Sequence, residues 1–399
     1  MRTDKNLLRV LNEKRVLTEA FNRGTISRSQ ISKNIGLNKV TVSDVVANLI
    51  EKGYLIEQGQ GDSTHNGGRK PTILTFNRDL GYIITMDWGY DYLVIAAARL
   101  TGELLIEEGI EIRGLSFDAV LKVITDWIAD YDRATPPHLP LLGIVIAVHG
   151  IVHHNQVTFS PFIDLGGVDI ARVLEETFTV PVRLQNEANL AAVYERDFER
   201  RREDESLVCI SIHKGIGAGI IIHGKLYTGR HGEAGEIGHT VVYNQAFFAN
   251  GQTTTIESIC SEAAIVDHVR DRLGDSTITR DRVIALYQAG DPVVEKELAR
   301  FCRYIANVIY NITVALDPRR VMINSGLIAK LPPLLTQIRK DLPSLTAEAT
   351  EIDLVDDVRH CVLLGGCAML THDLLNIESG QLTFGTQENG AGGAARELN

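Results

Sequence analysis

Residues 214–239 read KGIGAGIIIHGKLYTGRHGEAGEIGH. A Gly-x-Gly-x-Gly run at Gly215, Gly217 and Gly219 leads into a short apolar strand at residues 220–222. Glycine then returns at 224, 229, 232, 235 and 238, around the pair Glu236 and His239. Glycine at this density costs backbone entropy, so it marks turns or places where backbone comes close to a ligand. On residues alone the first half reads as a phosphate loop and the second as a polar pocket wall. Whether the phosphate loop is still used decides what the chain does.

The flanking segments repeat in outline. Residues 207–212, 219–222 and 225–228 read as strands, followed by helices and a strand at 321–323. Upstream, a strand at 81–89 ends in Asp87-Trp88-Gly89. Strands at 92–100 and 103–112 follow at hairpin spacing, with Thr101-Gly102 as the turn. Then come a helix at 117–131, a joint containing Pro136, Pro137 and Pro140, and a buried strand at 141–148 ending in His149-Gly150. Two β-β-β-α-β halves predict a duplicated α/β fold, and resemble in outline the sugar-kinase and actin-like fold, whose halves face each other across a cleft. An unrelated α/β arrangement would give the same outline.

Between the halves, residues 182–186 form a short strand that delivers Asn186 and Glu187 at its carboxyl end, with a helix from 190 to 199. Open α/β sheets bind ligands at that end of their strands. Asn186 also suits a helix cap. The helix at 293–316 is apolar on most faces, as a buried helix is.

The charge is uneven. Residues 1–78 carry 13 Lys and Arg against 7 Asp and Glu, whereas the whole chain carries 40 against 51. A basic segment on an acidic body suits a nucleic-acid-binding head. Its pattern is specific. An amphipathic helix at 5–22 is followed by a helix at 28–35, capped by Ser27 and closed by Gly36, and a third at 39–52, capped by Asn38. Val42, Val45, Val46 and Leu49 form the inner stripe of the third helix, leaving Lys39, Thr41 and Ser43 for the base edges of a major groove. Two strands around a Gly-rich tip make a wing, with Arg69 and Lys70 at its base to reach phosphates or a minor groove.

No apolar run approaches the roughly 20 residues of a membrane span, and the N-terminus lacks a signal-peptide core. The five cysteines (Cys209, Cys260, Cys302, Cys361 and Cys367) have no paired spacing, which suggests reduced thiols and a cytoplasmic location.

These residues resemble the ROK family (repressors, open reading frames and kinases), over essentially the whole chain. The most specific piece is Gly215-x-Gly217-x-Gly219 followed by Gly232-x-x-Gly235-Glu236-Ile237-Gly238-His239. The head with Gly67-Gly68-Arg69-Lys70-Pro71 is similar to the repressor branch, its xylose-responsive members above all. The resemblance implies a winged helix-turn-helix at 1–78 and an actin-like, sugar-kinase (ribonuclease H-like) duplicated α/β domain at 79–385. Its cleft would lie near 186–260, and residues 386–399, Gly/Ala-rich and polar, are expected to be a disordered tail.

In kinases of the family an Asp at the place of Glu187 is the general base. The Asn before it (Asn186), the Glu and His of Gly-Glu-Ile-Gly-His (Glu236 and His239) and a downstream Glu, matched here by Glu257, hold sugar hydroxyls. The departures bear on ATP. The Gly-Thr-Gly start of the phosphate loop is His213-Lys214-Gly215 here, and the Thr of Asp-x-Gly-x-Thr is Asp91. The Gly-Gly of the adenosine motif is Asn324-Ser325-Gly326, and the catalytic Asp is Glu187. Phe162 stands where sugar-phosphorylating relatives often carry Asn. Many members complete a zinc site with Cys-x-Cys-x4-Cys after the His, yet residues 240–256 contain no cysteine.

The expectation is therefore a sugar-responsive repressor with no catalytic residues, no zinc and no ATP. It would bind operator DNA as a homodimer or dimer of dimers, with a monosaccharide, D-xylose, as effector. An active sugar kinase carrying a DNA-binding head, or a repressor controlled by a partner protein, fits the same residues.

Overall fold

The structure is a computed structural model. It describes residues 2–60, 71–161, 167–198, 206–242, 253–343 and 350–385. Arg69, Lys70, Phe162 and the tail 386–399 lie outside the described residues.

The head contains α1 (Arg2–Arg23), β1 (Thr25–Ser27), α2 (Arg28–Ile35), α3 (Lys39–Glu51), β2 (Leu55–Gln60) and β3 (Thr72–Phe76). Local chemistry sets its boundaries. Ser27 and Gln30 form a reciprocal capping box at the start of α2, and Gly36 closes that helix at φ 68°. The Asn38 side chain accepts from the Thr41 N–H at 2.8 Å and starts α3. Val42, Val45, Val46 and Leu49 are buried, as their spacing requires. The sequence reading did not include β1, which pairs with β3 and makes the wing hairpin a three-stranded sheet.

Two lobes follow. The first comprises β4 (Tyr82–Trp88), β5 (Tyr92–Arg99), β6 (Leu104–Glu111), α4 (Phe117–Ala134), β7 (Leu141–Val148), the hairpin β8 (Ile151–His153) and β9 (Gln156–Phe159), α5 (Ile170–Phe178) and β10 (Val182–Asn186). The second begins with α6 (Glu187–Asp197), β11 (Leu207–Ile212), β12 (Ile216–Ile222), β13 (Lys225–Leu226), β14 (Val241–Val242) and β15 (Thr254–Thr255). It continues with α7 (Glu257–Cys260), α8 (Glu262–Leu273), α9 (Arg280–Gln288), α10 (Pro292–Leu316), β16 (Arg320–Asn324), α11 (Gly326–Lys330), α12 (Pro333–Asp341), β17 (Glu351–Leu354) and α13 (Cys361–Leu375).

Read from one edge, the two sheets run β6-β5-β4-β7-β10 and β13-β12-β11-β16-β17. Each is antiparallel at its first two junctions and parallel at its last two. The duplication inferred from the outline is thus present strand for strand. The segment read as a short strand between the halves is the fifth strand of the first sheet.

Helices α6 and α13 pack against each other between the sheets, and nearly all of α6 is buried. Small residues allow the close approach. A Cβ on Gly365 would strike the Leu190 carbonyl, and one on Gly366 would lie 3.1 Å from Val145. The same reasoning corrects the reading of the glycine run. Gly217 and Gly219 lie inside β12, not in a loop, and a Cβ on Gly219 would collide with the Ala188 carbonyl of α6. These glycines seat a helix on a strand. The turn itself is only residues 213–215, closed by the His213 N–H to the Gly215 carbonyl at 3.0 Å. The helix after Asn186 also starts three residues earlier than its apolar pattern suggests, at Glu187, because Asn186 caps it.

The chain after α13 returns to the head. The Asn22 side chain donates to the Gln381 carbonyl at 2.9 Å and accepts from the Thr383 N–H at 2.7 Å. The Phe384 N–H donates to the Asp197 carbonyl at the end of α6, at 3.0 Å. One continuous apolar core therefore includes Phe21 and Phe76 of the head, Tyr194 of α6 and Phe384.

Candidate functional site: the cleft between the lobes

The carboxyl ends of β7 and β10, the start of α6, the turn before β12 and the loop at 236–239 converge on an open cleft of about 500 Å³. All five residues expected to hold a sugar (Asn186, Glu187, Glu236, His239 and Glu257) line it. They come from separate elements. Asn186 ends β10, Glu187 opens α6, Glu236 caps a single 3₁₀ turn that His239 ends, and Glu257 opens α7.

The Gly-Glu-Ile-Gly-His turn is held against β12. The Ala218 N–H donates to the Gly235 carbonyl at 2.8 Å, and Gly235, at φ 96°, has no room for a Cβ against the Ala218 carbonyl. Gly215 and Gly238 both crowd the Glu257 carboxylate: a Cβ on either would come within 2.9 and 3.0 Å of Glu257 Oε2. His239 sits between two carboxylates, with Nε2 3.8 Å from Glu236 and Nδ1 3.8 Å from Glu257. Burial raises the Glu236 carboxyl above its ordinary range; the His239 imidazole opposes this, and Glu257 and Glu187 reinforce it.

Glu187 and Asn186 differ in what they leave open. Glu187 is buried and its Oε2 accepts no hydrogen bond among the described residues. A buried acceptor of this kind calls for a donor. The Asn186 amide is already used: Oδ1 accepts from the Ala188 N–H at 2.9 Å, and Nδ2 donates to the Gly150 carbonyl at 2.9 Å. The helix-cap reading of Asn186 therefore holds alongside its place in the cleft wall.

The sequence reading did not select His149, Tyr92 or His213. His149 Nε2 lies 3.1 Å from Asp87 Oδ1, and the Tyr92 hydroxyl donates to Asp87 Oδ2 at 3.1 Å. Burial alone would raise the Asp87 carboxyl, but the His149 charge and hydrogen bond outweigh it and hold Asp87 below its usual range. Burial likewise opposes protonation of His149, yet Asp87 wins and pushes the imidazole up to about 9. The available signal was positional: His149 follows β7 as Glu187 follows β10, at neighbouring parallel strand ends.

Where the sequence departs from the family's phosphate and adenosine motifs, the side chains make contacts within the chain. The Tyr92 ring occupies the space beside Gly89, where a Cβ would strike it. Lys214 lies over the Tyr90 ring. Asn324 Nδ2 lies 3.2 Å from Ser211 Oγ and 3.2 Å from His213 Nε2. The buried Glu262 carboxylate accepts from Ser325 Oγ at 2.7 Å and from the Leu327 N–H at 2.9 Å, and Arg280 pairs with it at 3.3 Å. Among the described residues, no group of three or more His, Cys, Asp or Glu is arranged to hold a metal ion. No helix among them is long and apolar enough to cross a membrane.

On the head, Lys39, Val40 and Ser43 are exposed and Thr41 is half-buried. Val40, which the sequence reading did not select, is an apolar side chain 71 % exposed in the first turn of α3.

Residues 83–370 match the profile of the ROK family. The chain belongs to the ROK family. It is 37% identical over 377 residues to the xylose repressor of Lactiplantibacillus pentosus, covering 94% of this chain and 96% of that one. It is 26% identical over 392 residues to the DNA-binding transcriptional dual regulator NagC of Escherichia coli, covering 93% and 95%. Among solved structures, a ROK family transcriptional regulator homologous to the E. coli MLC protein superposes with a TM-score of 0.75 at 24% identity, over 94% of this chain and 98% of its own. A ROK family glucokinase from Streptomyces griseus superposes with a TM-score of 0.63 at 21% identity, over 73% of this chain and 100% of its own. The ROK fold thus accounts for the lobes, and the regulator match extends to nearly the whole chain.

Proposed function

We propose that the protein is a sugar-responsive, DNA-binding transcriptional repressor of carbohydrate utilisation genes, with D-xylose as the effector. The observation that carries this reading is the convergence of Glu187, Glu236, His239 and Glu257 on a cleft whose wall helix, α6, ends against the chain that braces the head. Carboxylates and an imidazole at fixed positions suit vicinal hydroxyls, and such a site rejects analogues lacking one. The names of the relatives support the choice of xylose.

In this reading a cytoplasmic homodimer, or a dimer of dimers, places two α3 helices in successive major grooves of a roughly palindromic operator. Asn38, Lys39, Thr41 and Ser43 face the DNA, and Arg69 and Lys70 add backbone or minor-groove affinity. Sugar binding changes the closure of the lobes. Helix α6 carries that change from Glu187 to Phe198, through Phe384, to Phe21 of the head. The sugar shifts the equilibrium only by its differential affinity for the two states.

No phosphoryl transfer and no zinc enter this reading. Asp87 is engaged by His149, Asp91 replaces the hydroxyl expected near phosphate, and Glu262 takes the N-terminus of α11. An operator gel shift with and without xylose, glucose and N-acetylglucosamine tests the proposal. Release by xylose at lower concentration than by the others is expected; a shift that no sugar alters would sink the inducer model.

A further inference from the structure

Two residues that line the cleft each carry a polar atom with no hydrogen-bond partner among the described residues, and the two are complementary. Glu187 Oε2 is a buried acceptor with no donor. His149 uses Nε2 for both Asp87, at 3.1 Å, and the Tyr92 hydroxyl, at 3.2 Å, and no side-chain hydrogen bond among the described residues involves its Nδ1. We infer that His149 is a ligand-binding residue of this cleft, held by Asp87 and Tyr92 so that Nδ1 donates a hydrogen bond to a hydroxyl of the effector. This rests on the reading of the cleft as a sugar site.

The support is geometric. The His149 ring is locked, with its side chain only 12 % exposed and both partners on the neighbouring strand and its hairpin. The Tyr92 ring stands edge-on to it, with centroids 6.2 Å apart, and His213 stands edge-on from the second lobe at 6.2 Å. Such a ring cannot turn without breaking its bond to Asp87. Its charge agrees, because an imidazole raised to about 9 carries a proton on both nitrogens at neutral pH. Nδ1 is then a donor and Glu187 an acceptor, and a hydroxyl can serve both kinds of group. Asp87 and Tyr92 are positioning residues in this scheme. Asp87, which stands in the family's first phosphate motif, here orients a sugar contact.

The test uses the full-length protein and calorimetry with D-xylose and its four singly deoxygenated analogues. In the wild type, loss of the hydroxyl served by His149 weakens binding; in His149→Leu, that analogue and xylose bind alike. The same variant binds xylose about 10-fold more weakly or worse, as expected for a lost charge-assisted hydrogen bond. If His149→Leu leaves Asp87 unpaired and misfolds, the pair Asp87→Asn with His149→Leu removes both charges and gives the same readout. Tyr92→Phe loosens the imidazole without touching the ligand, so it should weaken xylose less than His149→Leu. Wild-type affinity in His149→Leu, or an unchanged penalty for every deoxy analogue, overturns the inference while the sugar site stands. Silence of the wild type towards every aldose is a different result: it removes the sugar reading and this inference with it.

Discussion

The ring of Phe384 stacks on that of Phe198, with centroids 5.1 Å apart. Phe384 also meets Phe21 edge-on at 5.2 Å, and Phe21 meets Phe76 at the base of the wing at 4.9 Å. Phe198 follows α6 directly, and α6 opens with Glu187 in the cleft. An aromatic row thus joins the end of the cleft helix to the root of the DNA-binding head.

Phe384→Ala should separate sensing from release. Truncating a buried Phe costs roughly 3–5 kcal/mol, so thermal stability falls. Phe384→Leu, which keeps most of the volume, loses less. In both variants xylose still binds with near wild-type affinity, since the cleft residues are untouched. Operator release by xylose becomes incomplete. Calorimetry and gel shift on the same preparation check this; full release at wild-type sugar concentrations would mean that another path carries the signal.

Lys39→Ala should weaken operator binding without altering sugar affinity. Lys39 is exposed at the first position of α3, the helix start that faces DNA in the proposed reading. If it contacts a phosphate, the slope of log affinity against log salt falls by about 1. If it reads a base, the loss depends on operator sequence and the slope stays near wild type. Thr41→Ala and Ser43→Ala follow the same logic without the salt term. A Lys39→Ala repressor that binds as tightly as wild type at every salt concentration contradicts the placement of α3.

Stability should depend on the His149 proton. A group whose folded-state value is raised above its unfolded value of about 6.5 contributes stability below that pH and loses it as pH rises through the folded value. His149 is raised to about 9, so the melting temperature should fall as pH rises from 7 towards 10. Asp87 runs the other way: held low, its contribution is present above the usual carboxylate range and is lost only in stronger acid. In Asp87→Asn with His149→Leu the alkaline decline should flatten. An unchanged alkaline decline would show that other groups cause it.

Much of this was legible before the structure because short-range chemistry marks it. Ser27, Asn38 and Asn186 are capping residues at real helix starts, and the hairpin spacing read in the first lobe holds. What sequence could not reveal lies in register and close packing. Asp87 and His149 are 62 positions apart; they meet because β4 and β7 pair Trp88 with Val148. Gly217 and Gly219 looked like a phosphate cradle, since a glycine that seats a helix is indistinguishable in sequence from one that admits a ligand. Strand β1 has three residues, too few for a periodicity. The role of Phe384 depends on a chain return over more than 180 residues to Phe198 and more than 360 to Phe21.

Sugar-dependent ATP turnover should be absent, and for a reason that can be tested. In the second lobe the backbone at the start of α11 is already bound by a carboxylate, with Glu262 accepting from both Ser325 and Leu327. Arg280 pairs with the same carboxylate and crowds Gly326, where a Cβ would lie 3.0 Å from its guanidinium. An added phosphate would have to displace an internal anion and would meet Asp91 near the first motif. Wild-type protein given xylose or glucose with ATP and magnesium is therefore expected to form no sugar phosphate. Glu187→Asp, which restores the family's base, should not create activity either, because Glu262 still binds the start of α11. Glu262→Gln weakens the internal anion and should lower the melting temperature, still without nucleotide binding by calorimetry. Sugar phosphate from the wild type, abolished in Glu187→Gln, would make the protein a kinase that carries a DNA-binding head.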